Sequence, residues 1–115
     1  MIRVYGIKNC DSVRKAVKYL KSKEIDFAFN DFRETPVSES EIRSWINAGT
    51  TTDQLFNTRG TTYRTLKLKE LDLDSEDKIK WLAKENTLIK RPVVVLDEET
   101  VFVGYDESLY QKNLD

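Results

Sequence analysis

Histidine is absent from this 115-residue chain, and cysteine occurs once, as Cys10. Without histidine the chain lacks the commonest general base and the commonest zinc ligand. One cysteine and no imidazole leave too few soft or borderline ligands, so no metal site is expected. A single cysteine cannot close an intramolecular disulfide, which excludes a disulfide framework and fits a reducing cytoplasm. Four glycines and two prolines form no linker, and there is neither a repeat nor a low-complexity tract. No apolar run approaches the roughly 18 residues of a membrane span, and Met1 leads straight into a strand pattern, so neither a membrane segment nor a leader is expected. An excess of either charge is also missing: 19 basic and 20 acidic side chains leave a net charge of −1. A general nucleic-acid binder would carry a strong basic excess. Any chemistry is therefore left to thiolate, arginine, carboxylate, hydroxyl or backbone groups.

What is present reads as one domain over residues 1–115, long enough to bury a core without staples. Met1 to Tyr5 alternates as a strand, with Ile2 and Val4 on one side. Val13, Ala16, Val17 and Leu20 then recur at helical spacing, with Lys15, Lys18 and Lys21 on the wet face. A second strand follows at Asp26 to Asp31, with Phe27 and Phe29 on one face; the intervening helix lets the two strands run parallel. Pro36 breaks the chain, and Ser38 with Glu41 predicts a reciprocal capping box for a helix burying Ile42, Trp45 and Ile46. Gly49 can close that helix in a left-handed conformation.

Thr51 to Phe56 predicts a short helix, and Asn57 to Thr62 a polar loop, after which Tyr63 and Leu66 resume packing. A further helix capped near Asp74 or Ser75 buries Ile79, Leu82 and Ala83. Residues 37–86 thus form a helical section. Val93 to Leu96 is a strongly β-forming run, Asp97 to Thr100 a turn, and Val101 to Val103 its antiparallel partner. A short helix from Asp106 closes the pattern. The order β–α–β, helices, β–β–α predicts an α/β domain of the thioredoxin-like fold: a four-stranded mixed sheet with a helical insertion, about 37–86, between the second and third strands.

Cys10 stands at the carboxyl end of the first strand and directly before the helix that opens at Asp11-Ser12. Unpaired N–H groups and the positive end of the helix dipole at such a start stabilise a thiolate. The thiol pKa is expected to fall from its free value of about 8.5 toward neutrality. In the predicted fold Pro92 precedes the third strand and faces the thiol, where it is either cis or an ordinary strand-opening proline. Arg91 beside it is either an anion-holding side chain or a surface arginine at a strand end.

Four segments, Tyr5 to Ser12, Leu55 to Tyr63, Lys90-Arg91-Pro92 and Val103-Gly104-Tyr105, together resemble the arsenate reductase (ArsC) family, and within it the Spx/YffB branch. Their order and spacing cover nearly the whole chain. The resemblance implies a nucleophilic Cys10, a cis Pro92, and Arg91, Arg59 and Arg14 as catalytic anion-holding residues. It also implies Asn9, Asp11, Ser12, Pro92 and Gly104 as the substrate- or glutathione-binding set. Two departures matter. Gly104-Tyr105 occupies the place of a third arginine of the arsenate reductases, which weakens recognition of a multiply charged oxyanion. Val13 stands where the redox-switch members carry the second cysteine of a Cys-x-x-Cys pair.

The expected function is therefore that of a monothiol oxidoreductase with no bound cofactor. It would reduce a disulfide, a mixed disulfide or an oxyanion, with glutathione as co-substrate or a glutaredoxin-type donor resolving the Cys10 adduct. The alternative is an Spx-like regulator that binds the RNA polymerase α subunit through the region near Gly49, without contacting nucleic acid itself. A monomer is expected in either case.

Overall fold

A computed structural model describes residues 2–114. Met1, assigned above to the first strand, and Asp115 lie outside the described residues. The elements, in order, are β1 (Ile2–Gly6), α1 (Asp11–Ser22), β2 (Phe27–Asp31), α2 (Glu39–Asn47), α3 (Thr52–Leu55), α4 (Thr61–Thr65), α5 (Ser75–Lys84), β3 (Val93–Asp97), β4 (Thr100–Val103) and α6 (Glu107–Leu114). Single 3₁₀ turns occupy Leu68–Glu70 and Asn86–Leu88.

The four strands lie in the order β2-β1-β3-β4. β1 pairs with β2 in parallel and with β3 antiparallel, and β3 pairs antiparallel with β4. This is the mixed sheet of the thioredoxin-like fold. Period-2 alternation sends neighbouring residues to opposite faces and makes two cores. Val4, Val94 and Phe102 pack with Ala16, Tyr19, Leu20 and Tyr110, beneath α1 and α6. Tyr5 and Val93 pack on the other face with Ile42, Trp45, Leu55, Leu82 and Ile89, beneath the helical section.

Helix α1 follows its sequence pattern, with Val13, Ala16 and Leu20 buried; Tyr19 joins them, while Val17 is only half-buried. Gly49 ends α2 at φ +112°. The cap of α2 departs from expectation. The Ser38 hydroxyl accepts from the Glu41 N–H at 3.2 Å, but the reciprocal bond is not made. The Glu41 carboxylate instead acts on the Tyr5 hydroxyl, whose pKa is raised first by burial and then by that negative charge. Reciprocal capping boxes occur at Thr51/Gln54 and Asp74/Asp77. Part of the supposed loop is also helical, because α4 begins at Thr61. Tyr63 packs edge-on against Phe56, with ring centroids 5.9 Å apart, but Leu66 is exposed and Leu68 takes the buried place.

The insertion is stitched to the sheet just ahead of β3. Asn57 N–H donates to the Leu88 carbonyl at 2.8 Å, and Lys90 N–H donates to the Leu55 carbonyl at 2.7 Å. Asn86 clasps the other side: its Oδ1 accepts from the N–H of buried Val37 at 2.7 Å, and its Nδ2 donates to the Leu82 carbonyl at 2.9 Å. An unsatisfied buried donor costs its full desolvation penalty. We therefore expect Asn86→Ala to lower unfolding stability by about 1–3 kcal/mol in urea denaturation, with the slope m unchanged. Asn86→Asp keeps the acceptor but loses the donor, and is expected to lie between Asn86→Ala and the wild type.

Candidate active site

The register of the sheet assembles the site. Tyr5 of β1 lies opposite Val93 of β3 in an antiparallel pair, so the end of β1 meets the start of β3. Whatever follows Gly6 is thereby brought toward whatever precedes Val93. Cys10 follows the first, and Arg91-Pro92 precedes the second.

Cys10 is half-buried and caps α1 with extended backbone angles, φ −112° and ψ 127°. It does not sit directly on the strand end as expected from sequence: β1 stops at Gly6, and residues 7–9 form a turn before it. That turn is pinned by the buried carboxylate of Asp31. Asp31 accepts from Lys8 N–H at 3.3 Å and from Arg33 N–H at 2.8 Å, and Phe32 N–H donates to the Gly6 carbonyl at 2.9 Å. The Arg14 N–H donates to the Cys10 carbonyl at 3.0 Å and starts the helix.

Burial pushes the Cys10 thiol up, and that is the largest single influence on it. The N–H of Val13, the Arg91 guanidinium by hydrogen bonding and by charge, and the N–H of Ser12 together outweigh burial. The net result holds the thiol below its ordinary value. As a thiol Cys10 makes no side-chain cap hydrogen bond; as a thiolate it becomes the acceptor that these donors favour.

Arg91 is half-buried, and its Nη1 donates to the Thr87 carbonyl at 3.0 Å. Its Nε is buried with no hydrogen-bond partner among the described residues. The hydroxyls of Thr87 and Thr62 lie 2.8 Å apart, tying α4 to the turn that holds Arg91. The Arg91–Pro92 bond is cis, and Pro92 is buried.

The remaining expected residues scatter around this pair. Arg14 is exposed and ion-paired with Asp11 one helical turn away, and its charge is not among the main influences on the thiol. Arg59 is exposed; its N–H donates to Asn57 Oδ1 at 3.1 Å, and its charge is not among the main influences on the thiol. Asn9 is exposed in the turn before Cys10. The N–H of Gly104 donates to the Pro92 carbonyl at 2.8 Å and its carbonyl accepts from the Tyr110 hydroxyl at 3.0 Å, so both backbone groups are engaged within the fold. Sequence reasoning missed Thr87, Asp31 and Thr62. Thr87 acts through its backbone and Thr62 on a residue far along the chain, while Asp31 joins a local turn at Arg33 to distant Lys8. Among the described residues, no three His, Cys, Asp or Glu side chains converge as metal ligands, and no helix is long and apolar enough to cross a membrane.

The arrangement can hold a thiolate, present a cation to an anion beside it, and pass neither electrons nor protons to a second thiol of its own. Comparison with known proteins places this geometry among related chains. The sequence is 39% identical over 114 residues to an uncharacterised protein of Haemophilus influenzae, spanning 96% of each chain. It is 27% identical to the global transcriptional regulator Spx of Streptococcus pyogenes, over 94% of this chain and 81% of Spx. Among solved structures, a YFFB protein superposes with a TM-score of 0.91 at 28% identity over the whole of both chains. A possible arsenate reductase from Streptococcus mutans gives 0.83 at 30% identity, over 99% and 98% of the two chains. The ArsC family model matches residues 5–113, which take in Cys10, Arg91 and every element from the end of β1 into α6, and the chain therefore belongs to the ArsC family.

Proposed function

We propose that this protein is a monothiol, glutathione-dependent reductase of disulfides, with Cys10 as its nucleophile. The observation that carries the reading is the Cys10 thiol, held below its ordinary value by helix N–H groups and by Arg91 against the opposing effect of burial. A lone thiol suits a two-step exchange. The Cys10 thiolate attacks the glutathione sulfur of a mixed disulfide; the S–S bond breaks, a Cys10–glutathione disulfide forms, and the other thiolate leaves and takes up a proton. A second glutathione, deprotonated, attacks the glutathione sulfur of that adduct and releases oxidised glutathione and the Cys10 thiolate. The substrate is reduced by two electrons, and two glutathione units end as one disulfide.

In this reading Arg91 stabilises the thiolate and keeps a positive charge beside it for a glutathione carboxylate or an oxyanion. The N–H groups of Ser12 and Val13 hold negative charge at the helix start. Arg14 is ion-paired with Asp11 and Arg59 is exposed, so neither is committed to the thiol as Arg91 is. Arsenate fits less well, because a multiply charged oxyanion needs several converging cations and Arg91 stands alone against the thiol.

The similarity to Spx supports a second reading, docking on the RNA polymerase α subunit. Gly49 is exposed at positive φ, and a side chain there would have open space around it, which suits close approach by a partner. The isolated carboxyl-terminal domain of the α subunit separates the readings: a micromolar complex supports the regulator, and none at that concentration removes it.

Two measurements test the reductase. The rate of iodoacetamide alkylation tracks the thiolate, so it falls as pH drops through the Cys10 pKa. Its midpoint is expected below the ordinary thiol value of about 8.5, and Arg91→Ala is expected to move it upward by removing a positive charge. A wild-type midpoint at or above the ordinary value removes the reading. Separately, reduced protein incubated with oxidised glutathione is expected to gain one glutathione by mass spectrometry. The adduct should disappear on adding reduced glutathione and should not form in Cys10→Ser, a variant that should also have lost thiol transfer.

A further inference from the structure

A groove of about 580 Å³ runs between α1 and the edge strand β2, reaching Val13 in the first turn of the helix that Cys10 caps. Its floor is apolar: Val13 and Val17 from the helix, Phe27 and Phe29 from the strand. Its rim is cationic: Lys8, Arg14, Lys18 and Lys21, with no acidic side chain in the lining. In a chain of net charge −1, that concentration of one sign on an apolar floor is local and specific. Lys8 pairs with Glu34 and Arg14 with Asp11, both as exposed ion pairs, which contribute little and exchange readily. Lys18 and Lys21 are exposed and form no ion pair among the described residues.

Two further features decide what fits. β2 is an edge strand, so no described strand pairs with its outer side. An extended segment can add there and place alternate side chains against Phe27 and Phe29. Val13 joins the groove to the site, since its N–H favours the Cys10 thiolate while its side chain forms part of the floor. A chain lying in the groove therefore reaches the first turn of α1, whose N–H groups face the thiol.

We infer that this groove is the docking site for an acidic, extended protein segment with alternating apolar residues, which carries the mixed disulfide that Cys10 reduces. This substrate class rests on the reductase reading above. The segment supplies carboxylates to Lys18 and Lys21, apolar side chains to the floor, and a glutathione-linked cysteine to Cys10. Cys10 takes the glutathione and the segment leaves as its thiol, so the exchange balances as already written.

The test separates docking from chemistry. Cys10→Ser is titrated with a fluorescein-labelled eight-residue peptide alternating glutamate with valine or leucine, and with the same peptide carrying lysine for glutamate. The acidic peptide is expected to bind at least about tenfold more tightly, and Lys18→Glu/Lys21→Glu to abolish that preference. Lys15→Glu changes the same helix by the same charge outside the groove, and is expected to stay within about twofold. Equal binding of the two peptides, or equal losses from Lys15→Glu and the groove variant, overturns the proposal. Sedimentation with anionic phospholipid vesicles through Lys18 and Lys21, without peptide binding, also overturns it, because the surface then serves a membrane.

The second arm compares kcat/KM for the glutathionylated acidic peptide with that for a small glutathione mixed disulfide. The ratio is expected to fall about tenfold in Lys18→Glu/Lys21→Glu and to hold in Lys15→Glu. A protein that binds the peptide but transfers no thiol keeps the groove and loses the reductase. One that transfers thiols without preferring the acidic peptide keeps the reductase and loses the groove.

Discussion

The site depends on how closely the start of α1 can approach the end of β1. A Cβ on Gly6 would lie 2.6 Å from a methyl of Val13, well inside contact distance. Only the bare backbone at Gly6 lets Val13 seat on the strand, and Val13 is 2% exposed. Its seating fixes three things together: the N–H that faces Cys10, one wall of the apolar groove, and the direction in which the helix dipole points. The branched side chain has few ways to yield. A residue whose chief property is having no side chain thus sets the position of the reactive one.

Around that contact the electrostatics are a contest between burial and donors. Half-burying a thiol favours the neutral form, and here burial is the strongest single influence. It loses because several donors converge and because one of them, Arg91, is held rigidly by the Thr87 carbonyl. Arg14 and Arg59 show the opposite case. Each is close in sequence or in family pattern, yet each is exposed and satisfied or solvated elsewhere, where charge acts weakly. The site is thus built by one well-placed cation, not by a cluster.

Much of this was legible in the chain. The alternation in Ile2–Tyr5, the continuous β-branched run that opens Val93–Leu96, and the spacing of Val13, Ala16 and Leu20 each mark an element that the fold keeps. The start of α1 at Asp11 followed from the same pattern. The failures have physical causes. Residues 61–65 are rich in threonine, a poor helix former with no apolar period, and they turn helical where Thr62 meets Thr87 and Tyr63 meets Phe56. The Ser38/Glu41 box forms on one side only, and the Glu41 charge bears on Tyr5, a residue distant in sequence. Asn86 reaches Val37 across 49 residues, and Thr87 holds Arg91 through a backbone carbonyl that any residue could supply. Arg91 itself was ambiguous from its own residues; family resemblance singled it out, and the sheet register brings it to Cys10.

The division of the interior by the sheet also makes the molecule optically two-sided. Both tryptophans, Trp45 and Trp81, pack with the core on the insertion side. The opposite core has none and instead gathers Tyr19, Tyr105 and Tyr110, with Tyr110 edge-on to both of the others. Tryptophan emission therefore reports the insertion side. Tyr5 and Tyr63 also lie on the insertion side, so the tyrosine signal is shared between the two faces. Only tryptophan is confined to one half, so its emission follows loosening of the inserted half without a label.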